Sequence, residues 1–163
     1  MELLEINGWK IFFHPCFTAQ LLQLAAEVAA LKAAQPDDYL KKKPTKLLAA
    51  IMRVVKEVIA ADPFNTQFRH GGTLGGEHKH WFRAKFLQQF RLFYRCSEQH
   101  KTIILGWVND ENSLRAYDSK TDAYKVFARM LAAGHPPDDW DALLLEAKDH
   151  ISSLQSNLLS GFR

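Results

Sequence analysis

The chain is poor in the features that announce staples, membranes or familiar catalysis. It holds two cysteines, Cys16 and Cys96, far apart and in no CxxC pair. That excludes a disulfide framework and a cysteine-based zinc signature, and both thiols read as small buried hydrophobes. No run of about 18 apolar residues occurs, so no membrane-spanning helix is expected. The opening MELLEINGWK lacks the basic stretch of a secretory signal, and a cytoplasmic, reducing setting is expected. No GxSxG turn presents a serine nucleophile. The glycines of GGTLGG (71–76) precede neither a Lys-Ser/Thr pair nor a helix, so they make no phosphate loop. His70, His78 and His80 have only Glu77 as a neighbouring carboxylate. They read as a wet, flexible loop, and no metal or other cofactor is expected.

What is present suits one soluble globular domain over residues 1–163. Of the 163 residues, 47% are hydrophobic and 24% charged, enough to bury a core without staples. Charge is unevenly placed. Residues 40–101 carry 13 Lys/Arg against 4 Asp/Glu, whereas both flanks are net acidic, leaving +3 overall. A basic middle suits a phosphate-bearing partner, although Lys41, Lys42, Lys43 and Lys46 also fit a solvated loop.

Periodicity divides the chain. WKIFF (9–13) reads as a first strand. Leu21, Leu24, Ala25, Val28 and Leu31 recur at helical spacing, with Thr18 as a candidate N-cap and Pro36 as the stop. Residues 45–60 repeat the helical pattern, with Thr45 as a cap or Pro44 as a break. WFRAKF, FRLFYRC and KTIILGWV then read as three strands, the last two joined by a turn at 97–101. Tyr124, Phe127, Ala128 and Leu131 form a third helical stripe. Asp138 or Asp139 opens a fourth helix, and 151–163 read as a tail prone to fraying. The class is α+β: two N-terminal helices packed on a small, mostly antiparallel sheet of about four strands, with further C-terminal helices.

Strand alternation gives the chemical lead. Arg83 and Lys85 share one face of their strand, and Arg91 and Arg95 share the face opposite Phe90, Leu92 and Tyr94. These cations are either routine outward residues of a sheet with one wet face, or the exposed floor of an anion site. Arg115, Tyr117, Lys120 and Tyr124 follow and add to the second reading. RNA carries its own nucleophile, the 2′-OH, so its cleavage needs a base, an acid and positive charge on the phosphoryl oxygens. Lys and Tyr titrate near about 10 when unperturbed, and crowded cations bring both closer to neutrality. Trp81, Tyr117 and Tyr124 are candidates to stack a splayed base, or are core residues.

The strings NGW, HPCF, TKLLA, FRHG, RLFYR, IILGWVNDENSLR, KTDAYKVFARML and GHPPDDW resemble the YhaV toxin family, from Asn7 to Trp140. The resemblance implies a RelE-like fold and an mRNA-cleaving, ribosome-associated ribonuclease that inhibits translation. It implies neutralisation by a PrlF-type antitoxin with an AbrB- or MazE-like swapped hairpin, and contact with operator DNA only through that complex. Residue by residue, Arg83 and Lys85 fall at the cationic positions of the family fold's second strand. Arg91 in FRLFY matches its third-strand arginine. Arg115, Tyr117 and Tyr124 are the candidates near the C-terminal end, and Arg95, Lys120 and Trp81 for RNA contact. The antitoxin is expected to cover the basic face through salt-sensitive pairs. The alternative is a non-catalytic module binding nucleic acid or protein on the same face.

Overall fold

The computed structural model describes residues 4–116, 119–149 and 161–162. The chain opens with a strand that the sequence reading lacked. β1 (Leu4–Ile6) forms a hairpin with β2 (Trp9–Phe13) around Asn7-Gly8. Both turn residues have positive φ, 53° and 83°, the conformation that makes Asn-Gly a favoured two-residue hairpin turn.

Helix α1 (Pro15–Ala34) begins before the expected cap. Pro15 fits the first turn, where no N–H partner is needed. His14 is the N-cap, its Nδ1 accepting from the Cys16 amide at 3.1 Å. Thr18 therefore lies inside the helix, buried. α2 (Lys43–Arg53) likewise takes Pro44 into its first turn and continues through a wider turn, Val54–Ile59, so Thr45 is no cap; the break between two helical pieces falls just before Pro44, at Lys42, after a short helical turn at Tyr39–Lys41.

β3 (Phe82–Phe86), β4 (Phe90–Ser97) and β5 (Thr102–Val108) follow. The sheet order is β1-β2-β5-β4-β3. The expectation of about four, mostly antiparallel strands is corrected to a five-stranded mixed sheet. β2 and β5 pair in parallel, Lys10 opposite Thr102 through Phe13 opposite Leu105. A parallel neighbour needs a long crossover, and α1, α2 and the β3–β4 hairpin supply it.

A second correction matters more for function. Neither face of the sheet is left to water. α1 and α2 cover one face, where Phe13, Leu92, Tyr94 and Leu105 pack with Phe17, Leu21 and Ile51. α3 (Ala123–Ala132) and α4 (Trp140–Asp149) cover the other, where Phe93, Ile104 and Trp107 pack with Phe127, Leu131 and Leu143. Arg83, Arg91 and Arg95 lie on this second face and are 8%, 7% and 8% exposed, so the expected exposed basic floor is instead roofed by helices.

One extra residue sets that face. The β4–β5 register runs from Phe93 opposite Trp107 to Tyr94 opposite Leu105, leaving Gly106 as a bulge. Without it, Trp107 would share the face of Ile103 and Leu105. A Cβ at Gly106 would sit 2.7 Å from the Trp81 ring, so only glycine fits. Of the expected C-terminal tail, residues 151–160 and 163 lie outside the described residues. Phe162 is fully buried against Phe13, with ring centroids 5.0 Å apart.

Candidate active site

Antiparallel register assembles the site. Lys85 lies opposite Arg91, and Arg83 lies opposite Phe93, so all four side chains share the second face. The first turn of α3 closes over them. Asp122 caps this helix by accepting from the Tyr124 amide at 3.1 Å. The cap directs Tyr124, 4% exposed, onto the Phe93 ring in an edge-on contact at 5.5 Å.

Two strands and one helix then meet at a single oxygen. Arg83 Nε–H donates to Tyr124 Oη at 2.8 Å, and Arg91 Nε–H donates to the same atom at 3.3 Å. A third guanidinium, Arg115, lies over the Tyr124 ring at 4.7 Å. Arg115 is held by Asp122 Oδ1 at 2.5 Å, and the same oxygen accepts from the Ala116 amide at 2.7 Å. Asp122, 2% exposed, thus fixes both the tyrosine and the arginine stacked on it.

Asn109 organises the other side. It is 1% exposed, and its Oδ1 accepts from the Arg91 amide at 2.6 Å. Its Nδ2 donates to the carbonyls of Gln89 and Ser113 at 2.8 and 2.9 Å. Arg91 Nη1 donates to the carbonyls of Gln88 and Phe90, both at 2.9 Å, and Arg83 Nη1 donates to that of Gln67 at 2.8 Å.

The charge balance is incomplete. Among the described residues, no carboxylate pairs with Arg83 or Arg91, and the Nη2 group of neither donates to a protein acceptor. Arg83 and Arg91 each keep a small exposed area, 8% and 7%, where the pair opens to solvent. Two largely buried cations sharing one neutral acceptor are costly unless an anion joins them. Guanidinium N–H pairs match the geometry of phosphoryl oxygens. Lys85 is exposed beside this opening.

The remaining candidates lie elsewhere. Arg95 is four residues along β4, about 13 Å at ordinary strand rise. Its Nη1–H donates to the Asp138 carbonyl at 2.6 Å, and its guanidinium lies 5.6 Å from both the Trp81 and Trp140 rings. Burial pushes this guanidinium below its usual range, with Asp138 opposing. Trp81 is 0% exposed and donates Nε1–H to Asp138 Oδ1 at 2.8 Å, so Arg95 and Trp81 anchor the start of α4. Lys120 is exposed and its carbonyl accepts from Arg129 at 2.8 Å. Tyr117 lies outside the described residues. The loop around His70 is more ordered than expected: His70 is buried, and its Nδ1 accepts from the Gly72 and Leu74 amides. Among the described residues no cluster of three or more His, Cys, Asp or Glu could hold a metal. Burial raises both thiols, Cys96 to about 12, which suits packing rather than nucleophilic attack.

Sequence reasoning missed Asp122 and Asn109. Asp122 carries a legible signal, an Asp directly before a helical stripe. Asn109 reads only as a turn residue, because its role is set by partners on another strand.

Residues 11–148, which include every arginine, lysine and tyrosine of this site, match a family of toxins with endonuclease activity, of toxin–antitoxin systems. The chain belongs to the YhaV toxin family. It is 51% identical over 147 residues to Toxin YhaV of Escherichia coli O6:H1, covering 89% of this chain and 96% of that protein. It is 50% identical, with the same coverage, to Ribonuclease toxin YhaV of Escherichia coli K12. No solved structure matches. Membership of the YhaV family brings an endonuclease activity and an antitoxin partner to a chain whose site holds two arginines with no carboxylate partner among the described residues.

Proposed function

We propose that the chain is a metal-independent endoribonuclease that cleaves mRNA on the ribosome and so arrests translation. The proposal includes a RelE-like assignment of the fold, which rests on the family resemblance. The observation that carries the reading is the pair of buried arginines, without a carboxylate partner among the described residues, converging on Tyr124 Oη. In this reaction the RNA 2′-oxygen attacks the adjacent phosphorus and the bond to the 5′-oxygen breaks. One proton leaves the 2′-OH and one reaches the leaving oxygen. The outward N–H groups of Arg83 and Arg91 bind the non-bridging oxygens and stabilise the charge that grows on them. Tyr124 Oη already accepts from both arginines, so its own hydrogen points away from them and serves the leaving oxygen. Lys85, exposed at the opening, serves the 2′-OH.

The resting partner in this reading is a PrlF-type antitoxin with an AbrB- or MazE-like hairpin, and operator DNA is met only through that complex. RNA cleavage by purified protein, on free RNA in EDTA and on ribosomes in the magnesium that keeps them assembled, tests the reading. Cleavage that needs ribosomes and leaves 2′,3′-cyclic phosphate ends is expected. RNA binding with no cleavage under either condition would return the site to a non-catalytic binding role.

A further inference from the structure

The β3–β4 hairpin tip is built at a conformational cost, and the catalytic residues hold it there. Leu87 and Gln88 have φ of 44° and 65°. Neither is glycine, and left-handed backbone disfavours a branched, bulky residue such as leucine. The Gln89 amide donates back to the Leu87 carbonyl at 2.7 Å. A turn of this kind, closed over two residues with its middle residue at positive φ, is rare and strained. Three site residues pin it. Arg91 Nη1–H donates to the Gln88 carbonyl, while Asn109 Nδ2–H and the Arg115 amide donate to the Gln89 carbonyl at 2.8 and 3.1 Å. The result is an aliphatic side chain, 52% exposed, standing off the strand that carries Lys85 and fixed to the phosphate-binding arginine.

Strain maintained by a site's own residues points to a use at that site. In stacked RNA the 2′-oxygen is not in line with the bond it must break. The two nucleotides flanking the cleaved bond have to splay apart before attack. Aliphatic wedges beside cationic phosphate contacts separate neighbouring bases in other nucleic-acid complexes.

We infer that Leu87 is the wedge of this site, inserting between the bases that flank the cleaved phosphate while Arg91 holds that phosphate. The inference rests on the ribonuclease reading above and adds a substrate-shaping element to it. The strained turn sets the direction of Leu87, and its tie to Arg91 sets the distance between wedge and phosphate.

The test uses one single-stranded RNA in two forms, each presented free or on ribosomes, whichever supports cleavage by the parent. The unmodified RNA reports single-turnover cleavage and maps the cleaved bond. A non-cleavable 2′-O-methyl version carries 2-aminopurine just 3′ of that bond, and its fluorescence rises when the base unstacks. Leu87→Ala and Leu87→Gly should cleave roughly tenfold more slowly or worse, the scale of one lost base contact. Both should also lose most of the fluorescence rise. Leu87→Met should keep both signals. Leu87→Gly should melt no lower than the parent, since glycine relieves the backbone, and this separates lost function from lost fold. Parental cleavage by Leu87→Ala overturns the inference, as does slow cleavage with the full fluorescence rise. A loss confined to antitoxin affinity overturns it too. Arg91→Ala and Tyr124→Phe are run alongside. If these cleave normally, the site reading itself fails; if they are inactive and Leu87→Ala is normal, only the wedge fails.

Discussion

Arg83 on β3 donates to the hydroxyl oxygen of Tyr124 on α3 at 2.8 Å, joining the sheet to the helix that roofs it. Arg91, from the neighbouring strand, donates to the same oxygen. The contact makes Tyr124 both a packing residue, through its ring on Phe93, and the polar centre of the site.

Tyr124→Phe keeps the ring and removes the oxygen. Cleavage should fall by about 10²–10⁴, the range for losing one positioned proton donor. Two buried N–H groups lose their acceptor, so stability should drop by about 1–3 kcal/mol. Single-turnover RNA cleavage and chemical denaturation read the two effects separately. A variant that cleaves at the parental rate would remove Tyr124 from proton transfer.

Arg91→Met removes a largely buried guanidinium that has no carboxylate partner among the described residues, and leaves similar volume. Replacing buried charge by an apolar side chain is often neutral or stabilising, and function at such sites is commonly held at a cost in stability. The melting temperature should therefore stay level or rise while cleavage falls by about 10²–10³, the scale of one preorganised donor. Arg91→Lys should restore only part of the rate, since an ammonium lacks the two-pronged geometry. A large drop in melting temperature for Arg91→Met would show that the arginine serves the fold instead.

How much of this was legible depended on whether a contact is local. The alternation in FRLFYR placed Arg91 and Arg95 opposite Phe90, Leu92 and Tyr94, and the structure has that arrangement. The stripe Tyr124, Phe127 and Leu131 was read as a helix and is one. What failed was the step from those two facts to a three-layer packing. A stripe that apolar must bury itself somewhere, and the only sheet face left was the one carrying the arginines. Phe93 and Trp107 on that face were the available clue. The parallel pairing of Lys10 with Thr102 had no local signature, because loop closure over such a separation leaves no trace in periodicity. The Asn7-Gly8 turn does have one, the Asn-Gly pair itself. Asn109 and the tip at Leu87 are fixed by partners on other segments and leave no mark in their own spacing.

Asp122→Ala should be among the more damaging changes outside the apolar core. It deletes the α3 cap, worth about 1 kcal/mol, and removes the Asp122–Arg115 ion pair. Breaking a buried pair costs about 3–5 kcal/mol. Denaturant unfolding measures the loss, and Asp122→Asn should recover the cap but not the ion pair. Parental stability in Asp122→Asn would mean that the Arg115 pair adds nothing, and equal losses in the two variants would mean that the cap adds nothing.

Alkaline pH should destabilise the fold partly through Cys96. Burial raises this thiol from 9.0 to about 12, so the unfolded chain ionises it first. Its contribution is complete below pH 9.0 and is lost as pH climbs toward 12. Cys96→Ala should flatten part of the decline in stability across that window. An unchanged pH profile would show that the thiol ionises as readily in the folded state as in the unfolded one.

The central claim is that an Arg83–Arg91–Tyr124 cluster drives attack by the 2′-oxygen of RNA itself. The chemistry of the ends is its most direct test, read by mass spectrometry after cleavage on whichever template supports activity, free RNA in EDTA or ribosome-bound RNA in magnesium. Internal attack leaves a 2′,3′-cyclic phosphate on one fragment and a free 5′-hydroxyl on the other, and those ends are expected, absent in Tyr124→Phe. Fragments ending in 3′-hydroxyl and 5′-phosphate, or cleavage of free RNA abolished by EDTA and restored by a divalent metal, would contradict it.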